Sequence, residues 1–214
     1  MIKNIVFDMG NVIIRFERDS FIDRFGVTPE EREMLNREVF LSAEWVMLDR
    51  GTLDDEQAAA IICPRLPEHL HEIARTLISF WDRPILEVEG MHDLIGELKG
   101  MGYGIYLLSN ASCRQPDYWQ RVPAAPLFDG TFVSYTVKLL KPEREIYEAF
   151  FEKFRLRPED CFFVDDNPAN VEASIRAGMP AVVFFNDVPR LRRQLREAEA
   201  LAKAGGENIS FTQE

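Results

Sequence analysis

The chain has 214 residues, with 36 acidic against 25 basic side chains and a formal net charge of −11. That length suits one large domain, or a main domain with a smaller companion. The acidic excess argues against nucleic acid and membranes as partners, since both anionic surfaces need clustered Lys and Arg. Three cysteines, Cys63, Cys113 and Cys161, show no CxxC spacing, which points to a reducing compartment and away from a disulfide or zinc scaffold. The first apolar run ends at Phe7, too short for a signal-peptide core. No run approaches the ~20 apolar residues of a membrane span. A cytoplasmic protein is expected.

In chain order, residues 2–7 form the first short run rich in β-branched and aromatic side chains. Further runs follow at 103–108, 130–134, 161–164 and 181–185. Each reads as a strand, and their continuous apolarity implies burial on both faces. Helical spacing at 92–98, 143–154 and 169–177 separates them, the alternation of an α/β domain with a parallel sheet. Residues 15–83 break the pattern. There the spacing predicts only helices, over 18–25, 29–40, 43–49, 54–63 and 68–80, with Thr28 as N-cap and Pro29 at the first helical position. A last helix is predicted over 190–204, with Gly205 and Gly206 opening a polar tail.

Ligands of an open parallel sheet bind beyond the carboxyl ends of its strands. Asp8 follows the first strand, Ser109-Asn110 the second, and Asp165-Asp166-Asn167 the fourth. Lys141 is expected to open the helix after the third. A carboxylate is a nucleophile at neutral pH without deprotonation, so Asp8 suits attack on phosphorus. Asp8 and Asp166 suit Mg²⁺, a hard cation that takes oxygen ligands. Ser109 and Lys141 suit phosphoryl oxygens. Singly, each residue has a plain turn, cap or surface role. Their appearance together at successive strand ends points to chemistry.

These residues resemble the motifs of the haloacid dehalogenase superfamily, over nearly the whole chain. The matching segments are Phe7-Asp8-Met9-Gly10-Asn11-Val12-Ile13, Leu107-Leu108-Ser109-Asn110, Lys141-Pro142-Glu143 and Phe163-Val164-Asp165-Asp166-Asn167, the last running on to Gly178. The resemblance implies a Rossmann-like parallel sheet core flanked by helices, formed by residues 1–14 and 84–214. A small all-helical cap, residues 15–83, is inserted after the first strand. Asp49-Arg50-Gly51-Thr52 is similar to a turn common in such caps. The implied activity is a Mg²⁺-dependent phosphatase of small phosphorylated metabolites that works through an aspartyl-phosphate. Sugar phosphates such as glucose 1-phosphate are the expected substrates. Asp8 would be nucleophile and metal ligand, with the Gly10 carbonyl and Asp166 completing the protein's metal ligands. Asp165 would stand beside them, and Ser109, Asn110 and Lys141 would bind the phosphoryl group. The sequence does not set the oligomeric state.

One position departs from the resemblance. Most phosphatases of this superfamily carry a second Asp two residues after the nucleophile, as general acid and base; here the position is Gly10. Three readings follow: a substrate that leaves without strong acid, an acid from the cap such as Glu44 or Asp49, or a degenerate site with poor turnover. Phosphonate hydrolysis needs a cap lysine, and residues 15–83 contain none. Metal-independent dehalogenation has no use for the Asp165-Asp166 pair. A regulatory protein on an inherited fold is the non-enzymatic alternative. Glu17, Glu44, Trp45 and Arg50 are the candidates for specificity.

Overall fold

The computed structural model describes the backbone of residues 1–207 and the side chains through Ala198. Five parallel strands form one sheet: β1 (Asn4–Phe7), β2 (Gly104–Ser109), β3 (Gly130–Val133), β4 (Cys161–Asp165) and β5 (Ala181–Val183). Their order is β3-β2-β1-β4-β5. Apolar residues fill both faces, as a parallel sheet covered on both sides requires. Ile5, Phe7, Ile105, Leu107, Phe162 and Val164 belong to one core, while Val6, Leu108, Phe132 and Phe163 belong to the other. Alternate residues of each strand thus serve opposite faces.

Helix α8 (Arg144–Phe154) covers the second face with Ile146, Tyr147 and Phe150, and α9 (Pro168–Arg176) adds Ala173. The first face carries α6 (Met91–Gly100), through Met91, Leu94, Ile95 and Leu98, and the start of α10 (Val188–Glu207), through Val188 and Leu191. Helix α10 passes through Gly205 and Gly206, where the sequence predicts an end. It begins two residues early, docked on the sheet, and that anchored first half supports propagation across residues that are poor helix formers. The polar tail beyond 207 lies outside the described residues.

The segment between β1 and α6 is helical, as expected: α1 (Arg18–Asp23), α2 (Pro29–Leu35), α3 (Ala43–Arg50), α4 (Asp55–Ile62) and α5 (His71–Phe80). Thr28 caps α2 in a reciprocal box with Glu31, and Asp54 caps α4 in the same way with Gln57. The single helix predicted over 29–40 is two: after Leu35 the chain widens into a π-turn over Asn36–Phe40. This turn buries Val39 and Phe40. The two ends of the segment meet beside each other. Arg15 N–H donates to the Leu86 carbonyl at 2.8 Å, and Val88 N–H to that of Ile13 at 2.9 Å. The short helix α7 (Gln115–Trp119) lies between β2 and β3.

Candidate active site

Chain order reverses at β1: β2 and β3 lie on one side of it, β4 and β5 on the other. Such a switch point opens a crevice beyond the strand ends. Registers fix what meets there. Phe7 pairs with both Leu107 and Val164, so the next residues, Asp8, Leu108 and Asp165, emerge side by side. Asp8 N–H is held by the Val164 carbonyl at 2.9 Å.

Lys141 is the centre of the arrangement. It lies in the loop before α8 instead of opening that helix, and it is 4% exposed. Its ammonium donates to Asp8 Oδ1 at 2.7 Å, to Asp165 Oδ2 at 2.6 Å and to the Leu108 carbonyl at 2.9 Å. Three donors thus find three acceptors. Burial alone would lower the Lys141 pKa, but Asp165 and Asp8 outweigh it and raise the value. Asp165 is fully buried. Its Oδ1 also accepts from Asn167 N–H at 2.8 Å, and both its oxygens accept from Asn170 Nδ2 at 3.1 Å. With each oxygen so engaged, Asp165 serves to hold Lys141.

Asp8 and Asp166 keep more of their oxygen valence free. Asp166 accepts one bond, from Asn11 Nδ2 at 3.0 Å. Asn11 stands in the left-handed region at φ 54°, a conformation Asn tolerates better than most residues, and its Oδ1 takes the Phe16 N–H at 3.0 Å. Burial pushes the Asp8 carboxyl up to about 7, with Asp165 and Asp166 adding to the rise against the pull of Lys141. The Asp166 pKa is raised chiefly by burial as well. Carboxylate oxygens of Asp8, Asp165 and Asp166 lie within 4.8 Å of one another. The cavity lining contains no imidazole or thiolate. This crowded, all-oxygen, anionic set fits a hard divalent cation.

The cavity has a volume of about 330 Å³. Asp8, Gly10, Ser109, Asn110, Lys141 and Asp166 all line it, as does Trp45. The Asn110 side chain is committed within the protein: its Oδ1 accepts from Lys141 N–H at 2.8 Å and its Nδ2 donates to the Lys141 carbonyl at 2.9 Å. These two bonds hold the Lys141 backbone in place beside the cavity. Glu17, Glu44 and Arg50 do not line the cavity. Glu44 pairs with Arg65 at 2.7 Å, and that bond lowers its pKa. Arg50 pairs with Glu143 at 2.5 Å. His69 and His71 bond to Glu31 and the Leu66 carbonyl, and Cys113 is exposed outside the lining.

Asp49 differs from Glu44. It lines the cavity, and its carboxylate has no hydrogen-bond or ion-pair partner among the described residues. Burial and the nearby Asp8 charge raise its pKa to about 7. The turn carrying it is fastened to the sheet domain. Ser134 Oγ donates to the Asp49 carbonyl at 2.5 Å, and Arg50 and Glu143 are paired. Gly51 closes α3 at φ 73°, where an added Cβ would stand 2.6 Å from the Tyr135 carbonyl oxygen. Phe16, Ile78, Trp81 and Tyr118 also line the cavity; they gave no motif signal in the sequence, because their apolar periodicity is that of any core.

Known proteins resemble this chain over most of its length. A sesquiterpene phosphatase, astK, of Aspergillus oryzae is 28% identical over 182 residues, which are 83% of this chain and 87% of that protein. A D-ribitol-5-phosphate phosphatase of Bacteroides thetaiotaomicron is 24% identical over 191 residues, 83% of this chain and 89% of the other. Among solved structures, an enzyme of the same bacterium in complex with magnesium and inorganic phosphate superposes with a TM-score of 0.65 at 20% identity. The match covers 87% of this chain and 96% of that one. The model of the haloacid dehalogenase-like hydrolases matches residues 2–178. With more than half its length so matched, the chain belongs to the haloacid dehalogenase-like hydrolase family.

Proposed function

We propose that this hydrolase is a Mg²⁺-dependent phosphatase of small phosphorylated metabolites, acting through an aspartyl-phosphate on Asp8. The observation that carries the reading is the contact of Lys141 with Asp8 and Asp165 in a cavity that also holds Asp166 and Ser109. A buried ammonium beside a nucleophilic carboxylate suits an anionic substrate. Relatives named as phosphatases, and a neighbour solved with magnesium and phosphate, support the same reading.

Asp8, Asp166 and the Gly10 carbonyl would hold the cation, with Asp165 behind them fixing Lys141. Mg²⁺ bound there supplies positive charge that keeps Asp8 ionised and offsets the charge of the phosphoryl group. An Asp8 oxygen attacks phosphorus, and the bond between phosphorus and the ester oxygen breaks. Ser109 and Lys141 bind the phosphoryl oxygens during transfer. Asp49, protonated below about pH 7, gives its proton to the departing alkoxide and becomes the base for water in the second step. Attack by that water returns the Asp8 carboxylate and releases phosphate. Of the two cap carboxylates raised by the sequence, Asp49 has the place and the pKa for this task. Residues 15–83 act in this scheme as the cap that brings Asp49 to a site where Gly10 has no side chain.

The alcohol is the open part. The relatives are named for a sesquiterpene and a polyol, and the anomeric sugar phosphate expected from the sequence is a third class. The activity itself is tested with p-nitrophenyl phosphate. We expect turnover that needs Mg²⁺, stops with chelator, returns on adding Mg²⁺, and is lost in Asp8→Asn. Hydrolysis that survives both metal removal and that substitution would refute the mechanism.

A further inference from the structure

Resting on the phosphatase reading, we infer that the alcohol carried by the substrate is apolar: the cavity is built for the phosphate monoester of a prenyl-type hydrocarbon alcohol, not of a sugar. The cavity lining is of two unlike kinds. Asp8, Ser109, Lys141 and Asp166 belong to the phosphoryl site, and Phe16, Trp45, Leu48, Ile78, Trp81 and Ile14 supply an apolar part of the wall beside polar groups such as Asn11, Asp49, Asn167 and Asn170. The rings support one another. Phe16 lies 4.9 Å from Trp81 and 5.9 Å from Trp45, centroid to centroid, and Trp81 lies 5.2 Å from Tyr118. Rings held in mutual edge and tilted contact form a preformed apolar surface.

Several polar side chains of the lining are already engaged within the protein. Both polar atoms of Asn11 are engaged, with Asp166 and with Phe16 N–H. Both of Asn110 are engaged with the Lys141 backbone. Asn167 Oδ1 caps α9, Ser112 Oγ accepts from Arg114 N–H, and Asn170 Nδ2 is spent on Asp165. Lys141 is the single cation of the lining, and all three of its donors lie at the phosphoryl site. Asn170 Oδ1 has no partner among the described residues, and Asp49 and the Tyr118 hydroxyl are further polar groups that the lining offers. A sugar hydroxyl set against the aromatic part of the wall would lack a partner there, a cost that falls on each buried group. A hydrocarbon chain meets no such cost and gains from each methylene it buries. The volume of about 330 Å³ lies at the small end of ligand pockets, roughly 300–1,000 Å³, which favours a short chain.

The experiment compares kcat/KM of the Mg²⁺-loaded enzyme on geranyl phosphate, ethyl phosphate, glucose 1-phosphate and ribitol 5-phosphate. We expect geranyl phosphate to exceed ethyl phosphate at least tenfold, and the sugar and polyol phosphates by about 100-fold, the scale on which an apolar pocket rejects an added hydroxyl. Trp45→Ala should shrink the geranyl-to-ethyl ratio about tenfold, while Trp45→Phe keeps it. Asp8-dependent turnover in which glucose 1-phosphate or ribitol 5-phosphate equals geranyl phosphate overturns the inference and leaves the phosphatase reading intact. Absence of Asp8-dependent turnover on every ester defeats the phosphatase reading instead. A binding titration of Asp8→Asn, followed by tryptophan fluorescence, then decides the ligand class. Geranyl phosphate binding about 100-fold tighter than glucose 1-phosphate supports the inference, and equal or weaker binding overturns it.

Discussion

Replacing Asp49 by Asn tests how a site with Gly10 at the usual acid position performs acid–base chemistry. The substitution keeps the shape of the side chain and removes only its proton chemistry. The titratable side chains lining the cavity are Asp8, Asp49, Tyr118, Lys141 and Asp166. Asp8 is proposed as the nucleophile, and Asp166 as a metal ligand. Lys141 is held charged by two carboxylates, and burial keeps the Tyr118 phenol well above its usual pKa. Asp49, with a pKa of about 7, is left as the group able both to give and to take a proton near neutrality. General acid–base help is worth about 10²–10⁴-fold, or roughly 2.7–5.4 kcal/mol of barrier. Asp49→Asn should therefore lower kcat/KM by at least about 100-fold for an alkyl phosphate, whose leaving oxygen needs a proton. For p-nitrophenyl phosphate, whose leaving group departs unprotonated, the loss should be about tenfold or less.

The pH profile adds a second readout with a defined sign. Asp49 acts as the acid in its protonated form, so wild-type kcat/KM for the alkyl ester should fall as pH rises through about 7, and Asp49→Asn should lose that limb. Stability follows the same group. Its pKa is raised in the folded protein, so the folded state holds a proton that the unfolded chain releases near pH 4, and stability drops as pH climbs toward 7. Asp49→Asn should thus melt at or above the wild-type temperature at pH 8. The ratio of the two esters, measured by steady-state assays from pH 5 to 9, decides the matter. Equal losses on both esters, or an unchanged alkaline limb, would refute the role assigned to Asp49.

The other predictions concern the supports of the site. Lys141→Met should abolish turnover and destabilise the fold by about 3–5 kcal/mol, because Asp8 and Asp165 are left buried without their cation. Urea titration and assays on the same preparation read both effects. Gly51→Ala should cost about 1–2 kcal/mol for its left-handed backbone alone. It also drives a Cβ against the Tyr135 carbonyl, so kcat should fall as the Asp49 turn shifts. Wild-type kcat at wild-type stability in that variant would show that the fastening of the turn has no bearing on catalysis.

Much of the fold can be read from the chain because parallel strands buried on both faces leave a strong trace. Residues 2–7, 103–108 and 161–164 are apolar runs, and the strands lie within a residue or two of them. Thr28-Pro29-Glu30-Glu31 announces its helix through cap chemistry that is local by nature. The π-turn over Asn36–Phe40 is not legible, since its sequence keeps ordinary helical spacing and the wider turn answers to packing of Val39 and Phe40. The end of α10 is missed for a related reason: Gly205 and Gly206 signal a stop, while docking of Val188 and Leu191 sustains the helix.

Within the site, the acidic and basic residues at strand ends are visible as residue types out of keeping with their apolar flanks. Asp8, Asp165 and Asp166 stand out this way, with Ser109 at the end of the second strand and Lys141 in the loop before α8. Their division of labour does not. Nothing in the sequence distinguishes Asp165 from Asp166, yet one spends its oxygens on Lys141, Asn167 and Asn170 while the other accepts a single bond from Asn11. Nothing separates Glu44 from Asp49 either, five residues apart on one helix, until Arg65 is seen to claim the first and the cavity to receive the second.

The sequence by itself determined the strand ends, the spacing of the charged residues and the helical nature of residues 15–83, because backbone periodicity and turn chemistry act over a few residues. Tertiary packing settles which carboxylate is paired, which proton is held near neutrality and which aromatic rings face the cavity. Those properties depend on burial and on distances between residues far apart in the chain. Lys141 and Asp8 are 133 positions apart and meet at 2.7 Å.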